Sequence, residues 1–419
     1  MMKPIDVLVA GSGMAGLIAA LAAATRGKNV RIAARGAGAL AIGGGCVDLL
    51  GYINNDIVRG NPLEAIAALP DNHPYRLVGA EAVREALEFF QAVCRKQGLV
   101  LVNNQGENHW IPSILGIFKP SFLCPENADR DALASADMIL IPQFSWLKDC
   151  HAGMARSELQ RQKRLKDKLF ATPLLTPPQG PAHRNQTPLD VAHRMDTPEG
   201  EAWLSRELAT YIAPVADKRI AVLLPPILGI KNSNAIRKRL EAELGCTLVE
   251  MASSPPGVTG LRIREALKSA LTKAGVIISE NTTLVGAKVE GAHCVSLFSA
   301  GPDKRRELPA SAFIIATGGF FGGGAMASPG RARESIFELD LGALETVEAW
   351  SAPDVFDPQP YARLGVRVNA RLNPITADGK PLLDNVFFAG RALAGYDHVL
   401  EKCGHGVAIA TGWHAAQLC

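Results

Sequence analysis

VLVAGSGMAGLIAALAAATRGKNVRIAARG, residues 7–36, is the stretch whose reading decides the fold. Its opening VLVA is an apolar, β-branched run between Pro4 and Gly11, the pattern of a strand buried on both faces of a parallel sheet. MAGLIAALAAATRG is rich in Ala and Leu and closes on Gly27, so it predicts a helix. NVRIAAR, 29–35, is the next strand. A βαβ unit of about thirty residues is the mononucleotide-binding half of a Rossmann-like fold. Gly11, Gly13 and Gly16 stand at its turn as G-S-G-M-A-G. The first glycine permits the turn, the second admits a pyrophosphate to the backbone, and the third lets helix and sheet close up. The phosphate then meets the amides of Met14, Ala15 and Gly16 at the positive end of the helix.

The strand ends on Arg35, where an acid commonly holds a ribose hydroxyl. An arginine there is open to three readings: contact with the cofactor edge, a 2′-phosphate of NADP, or a side chain that simply meets solvent. Three further segments bring small residues to such a site. Gly43, Gly44 and Gly45 follow the second strand and could let backbone N–H groups approach a phosphate or flavin ring. Thr317 and Gly318, in ATGG, end a predicted strand at 310–319, and Gly390 follows another in DNVFFAGRALAG. The last segment, CGHGVAIA, predicts a helix whose N-terminus, at Gly404, Gly406 and Val407, faces the pyrimidine side of a reduced flavin. His405 lies among these residues, and Cys46 stands next to the 43–45 glycines without a resolving thiol nearby in sequence.

The 419 residues are 47% hydrophobic with a net charge of +3, enough for a large core and without the excess of positive charge that nucleic acid would call for. Eight scattered cysteines contain no C-x-x-C pair, which argues against an iron–sulfur cluster or a zinc site and fits reduced thiols. MMKPIDVLVAG runs straight into a strand, so no targeting segment is expected, and the apolar run after Gly16 is too short to span a bilayer. Nucleotide-binding segments at both ends of the chain imply an insertion between them. The expected architecture is α/β, a Rossmann-like FAD/NAD(P)-binding flavoprotein fold with an inserted α/β domain. Residues 1–70 and 258–419 form the discontinuous flavin-nucleotide domain, and 71–257 an inserted substrate or partner domain. Within the insertion, 137–143 and 218–226 predict strands and SNAIRKRLEAELG a helix with an N-cap serine. RQKRLK at 161–166 reads as a solvated helix face, and the proline-rich 172–188 as a surface loop.

VAGSGMAG, NHPYRLVG (72–79), TGLRIREAL (259–267), ATGGFFGGG (316–324), DPQPYARLGV (357–366) and DNVFFAGRALAGYDHVLEKCGHGVA (384–408) occur in that order. Together they resemble the B-subunit family of the anaerobic glycerol-3-phosphate dehydrogenases over nearly the whole chain. The resemblance implies a three-subunit enzyme that oxidises sn-glycerol 3-phosphate to dihydroxyacetone phosphate and passes electrons to menaquinone, then to fumarate or nitrate. It implies an FAD-containing catalytic partner, an iron–sulfur partner that provides the membrane attachment, and FMN in the chain itself, with FAD the alternative. It also places the chain in the cytoplasm, peripheral at the inner face of the membrane through a partner. Arg35 is ordinary for the family, whereas CGHG interrupts a run of glycines, so no role for His405 or for His398 comes with the resemblance.

Alcohol oxidation by a flavin needs a base for the hydroxyl proton, and a phosphate-bearing substrate needs cations. Arg262 and Arg264 are the candidates for the phosphate, and His398 and His405 for the base. No combination of them marks an active site by spacing, which favours an electron-transfer flavin subunit. The rival readings are a free-standing FAD-dependent oxidoreductase of the fumarate-reductase type and a scaffold subunit with a vestigial nucleotide site.

Overall fold

Val7–Ala10 (β1), all four residues buried, pairs in parallel with Val30–Ala33 (β2) on one side and Ala312–Ile315 on the other. Ile277–Ser279 extends the sheet beyond β2 and Val386–Phe388 extends it beyond 312–315, giving a five-stranded, wholly parallel sheet. Residues from both ends of the chain thus build one sheet, as the two nucleotide-binding segments require. Met14–Thr25 (α1) connects β1 to β2 and is buried from Met14 to Ala23. Its alanines and glycine let the C-terminal helix, Gly404–Leu418, lie close against it: a Cβ on Gly412 would come within 2.4 Å of the Ala15 carbonyl oxygen. Leu284–Glu290, His293–Ser299 and Arg306–Pro309 form an antiparallel meander. The computed structural model describes residues 4–126, 128, 130–178, 186–300, 305–342, 346 and 348–419.

The chain divides into two compact units. Met1–Ala39, Val47–Val93 and Leu267–Cys419 form the first; Leu40–Cys46 and Cys94–Ala266 form the second. These limits differ from the expected ones near 70 and 258, for reasons of packing. Residues up to 93 stay with the nucleotide-binding unit because the Tyr75 hydroxyl donates to the carbonyl oxygens of Leu49 and Cys403. Residues 40–46 and 258–266 stay with the second unit because Gly257 and Gly260 let the helix Val258–Lys273 begin directly on the backbone of Gly43 and Leu40.

The second unit has its own parallel sheet, in the order Leu169–Ala171, Met138–Leu140, Ile220–Leu224, Thr247–Glu250. Alternate residues of a strand face opposite sides, and here each side has a core. Leu140, Val222, Leu224 and Leu248 pack into one cluster; Ile139, Ala221, Leu223 and Val249 pack into the other. The helix Ser233–Leu244 starts one residue earlier than a serine cap implies, since Asn232 holds the cap position, and it ends at Gly245 in the left-handed conformation. RQKRLK does not lie on a helix: Ala152–Gln160 ends before it and the run folds as turns with Leu165 buried. In the 172–188 segment, 179–185 lie outside the described residues. No helix among the described residues is long and apolar enough to cross a membrane.

Candidate functional site

The turn between β1 and α1 forms a cradle whose dimensions are set by missing side chains. Gly11 has φ +110°, and a Cβ there would stand 2.3 Å from the Ala316 carbonyl oxygen. A Cβ on Gly16 would fall 2.0 Å from the Gly11 carbonyl oxygen. Gly13 behaves differently: it occupies the cap position of α1, and apart from its chain neighbours no atom of the described residues lies within 4 Å of where its Cβ would be. No side chain caps the helix and its first turn carries no acid. The first amides of a helix have no partner within it, so Met14, Ala15 and Gly16 offer theirs, with the helix dipole, beside the open face of Gly13.

The returning strand supplies a second wall. Thr317 follows Ala312–Ile315, and its Oγ1 is buried without a hydrogen-bond partner among the described residues. A Cβ on Gly324 would meet that hydroxyl at 2.5 Å, so the glycines of 318–324 fold back over it. Arg35 is exposed, with Nη1 3.8 Å from the Cβ position of Gly323, so it reaches the same returning loop. Gly390, at φ +67°, packs against Ala15 and donates its N–H to Thr411 Oγ1 at 2.9 Å. The structure therefore brings Gly11, Gly13, Met14, Ala15, Gly16, Arg35, Thr317, Gly318 and Gly390 into one unit around the start of α1. An orphaned buried hydroxyl, uncapped amides and an open Cβ direction fit the pyrophosphate of a flavin dinucleotide.

The start of the C-terminal helix is filled by protein. A Cβ on Gly406 would lie 2.1 Å from the Tyr75 hydroxyl, and the Gly406 N–H donates to the Asp48 carbonyl oxygen at 3.1 Å. Val407 is fully buried, with its N–H bonded to the Cys403 carbonyl oxygen. At Gly406 and Val407 the helix end expected to be free for a flavin is thus taken up by the protein itself. NHPY explains why. His73 Nδ1 accepts the Tyr75 N–H at 3.1 Å, which fixes the ring proton on Nε2, 3.1 Å from Glu401 Oε2. Burial would raise the Glu401 carboxyl, but hydrogen bonds from His73 and the Asp397 N–H outweigh it and hold the group below the usual range. The buried Cys403 thiol is pushed well up and donates to the same carboxylate at 3.4 Å. His73, Glu401 and Cys403 offer ligand atoms within 4.8 Å of one another. A metal on Nε2 would nonetheless leave the imidazole with no proton, because Nδ1 already accepts one hydrogen bond. The trio is a clamp that ties 72–79 to the residues before the C-terminal helix. NHPY and EKCG each stand out in the sequence, but nothing in their spacing shows that they meet.

His398 packs against Gly404, and its Nδ1 is buried without a partner among the described residues. Burial and Arg391 lower its pKa to about 4, so the ring is neutral at ordinary pH. His405 is the second residue of the C-terminal helix and half-buried.

Two expectations need correction. Arg262 is in the second unit and 3% exposed; Nη1 and Nη2 bind Glu250 at 2.6 and 3.0 Å and Nε donates to the Gly229 carbonyl oxygen at 2.8 Å. Its planar fork is satisfied internally, which leaves it no means of holding a substrate phosphate. Gly43, Gly44 and Gly45 also belong to the second unit, where the Thr259 hydroxyl donates to the Gly44 carbonyl oxygen and a Cβ on Gly45 would strike Thr259 at 2.1 Å. Their smallness serves the start of the Val258–Lys273 helix.

Residues 6–407 match the model of a family described as FAD binding domain. A probable B-subunit of the anaerobic glycerol-3-phosphate dehydrogenase from Halobacterium salinarum is 32% identical, over 98% of this chain and 96% of its own. The B-subunit of that enzyme from Pectobacterium atrosepticum is 29% identical, over 98% and 97%. The chain belongs to the B-subunit family of the anaerobic glycerol-3-phosphate dehydrogenases, within the FAD binding domain family. Among solved structures, the 3-ketosteroid delta1-dehydrogenase of Sterolibacterium denitrificans is similar over 98% of both chains, at 12% identity and a TM-score of 0.44.

Membership confirms the α/β flavoprotein fold and the oxidoreductase class, and it changes the cofactor expectation. This chain matches the FAD binding domain family over residues 6–407, and that match supports FAD and not FMN. The chemistry of the cradle agrees: FMN carries a single phosphate, whereas the open face of Gly13 and the uncapped start of α1 suit a pyrophosphate.

Proposed function

We propose that this chain is the FAD-carrying B-subunit of a quinone-linked anaerobic glycerol-3-phosphate dehydrogenase, relaying electrons between its partners. In this reading the catalytic partner, which has its own FAD, oxidises sn-glycerol 3-phosphate to dihydroxyacetone phosphate. The iron–sulfur partner anchors the complex at the inner face of the membrane and passes electrons to menaquinone. Bound FAD would supply hydride and single-electron chemistry. The chain's own residues do the rest. Gly11, Gly13 and Gly16 admit the pyrophosphate, the first amides of α1 and the Thr317 hydroxyl bind it, and the His73–Glu401 clamp fixes the residues before the C-terminal helix.

The observation that carries this reading is the intact cradle, with Gly13 open and Thr317 orphaned, in a chain whose best phosphate arginine is committed to Glu250. The first argues against a vestigial scaffold; the second argues against alcohol oxidation on this chain. The test is to purify the chain, denature it and identify the released flavin by chromatography. FAD at about one per chain is the expected result. A chain that stays colourless after reconstitution with FAD would favour the scaffold, and FMN would overturn the reading of the cradle.

A further inference from the structure

RQKRLK reads from sequence as the solvated face of a helix; it folds as turns, and what stands beside it gives the run a use. Leu165, in the middle of the run, packs into the cluster that holds Ala155 and Leu159 of the helix Ala152–Gln160. The same cluster receives Ile114 and Phe118 from the hairpin of His109–Pro112 and Phe118–Ser121. Hairpin, helix and basic turns therefore rest on one foundation. They also touch: a Cβ on Gly116, at the hairpin tip, would lie 2.4 Å from the Ala155 carbonyl oxygen and 2.9 Å from Glu158 Cβ. Glu158 Oε1 in turn accepts from Arg161 Nη1 at 2.6 Å. Met154, Glu158 and Arg161 stand at i, i+4 and i+7, on one stripe of the helix, and the hairpin tip lies along that stripe.

Polar residues ordinarily occupy such a tip. Here Leu115 and Ile117, on either side of Gly116, are each 50% exposed, and Met154 is 49% exposed. From Arg156 to Lys168 six cations accompany two acids. Arg161 and Arg164 pair with Glu158 and Asp131. Arg156, Lys163 and Lys166 have no ion pair among the described residues, and both lysines are exposed. Asp167 is the acid of the run left unpaired there; Lys148 and Asp149, before the helix, offset each other, and Lys119 adds a cation beyond Ile117. Isolated exposed apolar side chains are ordinary. Three on one footing, hemmed by free lysines, have the composition of an interfacial membrane contact, in which apolar groups reach the acyl boundary while Lys and Arg meet anionic headgroups. We propose that the Leu115–Ile117 tip, with Met154 and the 156–168 cations, seats this chain directly on an anionic bilayer surface. Nucleic acid would answer the charge but leave the aliphatic tip in water. The contact goes beyond the proposed function, which leaves membrane attachment to the iron–sulfur partner, and it lies wholly within the second unit.

The test is sedimentation of the full chain, without partners, with vesicles of phosphatidylglycerol and phosphatidylcholine in equal parts and with vesicles of phosphatidylcholine alone. Wild type is compared with Leu115→Ser/Ile117→Ser and with Lys163→Gln/Lys166→Gln. Lys288→Gln/Lys380→Gln, at exposed positions, removes the same charge from the first unit and serves as the control. Melting temperature and flavin content are measured for each. Wild type should sediment with the anionic vesicles only and be released by added salt. The lysine variant should lose about 30-fold in partitioning, the tip variant about tenfold, and the control nothing. Wild type that stays in the supernatant or binds neutral vesicles equally well overturns the proposal. So do tip and lysine variants that bind like wild type, or a control that loses as much as the lysine variant. Variants that keep their vesicle binding but lose a purified partner subunit overturn it in favour of a protein interface. A chain that carries FAD yet ignores vesicles overturns the contact alone and leaves the proposed function standing.

Discussion

Gly13 and Gly11 stand two residues apart and do different work. A methyl group at Gly13 has no non-neighbouring atom within 4 Å among the described residues, so Gly13→Ala should fold with an unchanged melting temperature yet purify with little flavin, read as the ratio of visible to ultraviolet absorbance. Gly11→Ala must strain a positive φ and collide with Ala316, so it should lower stability whether or not flavin is present. Arg262 provides a sharper contrast. As one half of a fully buried ion pair, its replacement by Ala strands Glu250 and should cost about 3–5 kcal/mol in urea unfolding; a phosphate ligand would instead alter substrate affinity and leave stability alone. Glu334 is the residue for pH. Burial raises its carboxyl to about 7, against hydrogen bonds from the Phe337 and Ile336 N–H groups, and Oε1 has no partner among the described residues. The folded state therefore holds a proton that the unfolded state loses near 4.5. Stability should fall as pH rises from about 4.5 to 7, by on the order of 3 kcal/mol, and level off above. Glu334→Gln should flatten that slope; an unchanged slope would remove Glu334 as its source.

At the scale of elements, the start of the C-terminal helix is where sequence and structure part. The glycines of CGHG read as room for a flavin, but Gly406 makes room for Tyr75. The sequence carries no sign of this, because Tyr75 and Gly406 are 331 positions apart (406 − 75) and meet only through a hydroxyl that bonds Leu49 and Cys403. Local pattern serves well where an element is self-contained. Each strand of the nucleotide unit's parallel sheet is visible as an apolar run, and α1 as an Ala-rich stretch with its own glycine stop. Pattern fails where a small residue answers to a distant neighbour, as at Gly43–Gly45 under Thr259, or where a charged residue is neutralised by one, as at Arg262. The clamp makes a testable pair. Gly406→Ala should destabilise strongly through the 2.1 Å clash with the Tyr75 hydroxyl. Tyr75→Phe, which takes from the buried Leu49 carbonyl oxygen its Tyr75 donor while the Cys403 carbonyl keeps the Val407 N–H, should cost about 1–2 kcal/mol alone. Combined, the two should cost less than the sum of their separate effects; strict additivity in a double-mutant cycle would mean that the two residues do not meet as described.

At the scale of the molecule, one unit carries the cradle, and the other has a parallel sheet with a core on each face. That a discontinuous nucleotide unit is interrupted along the chain by an α/β insertion is legible from glycine motifs at the two ends of the chain. Its limits are not, since residues 71–93 and 40–46 are assigned by packing that no local pattern announces. In the proposed relay, bound FAD carries the electrons and this chain does not itself oxidise the alcohol. Anaerobic stopped-flow absorbance at the flavin band tests it most directly, by mixing the FAD-loaded chain with sn-glycerol 3-phosphate, first alone and then with the catalytic partner. No bleaching of the isolated chain, and bleaching once that partner is present, is the expected result; rapid bleaching of the isolated chain would refute the relay and establish a dehydrogenase in its own right.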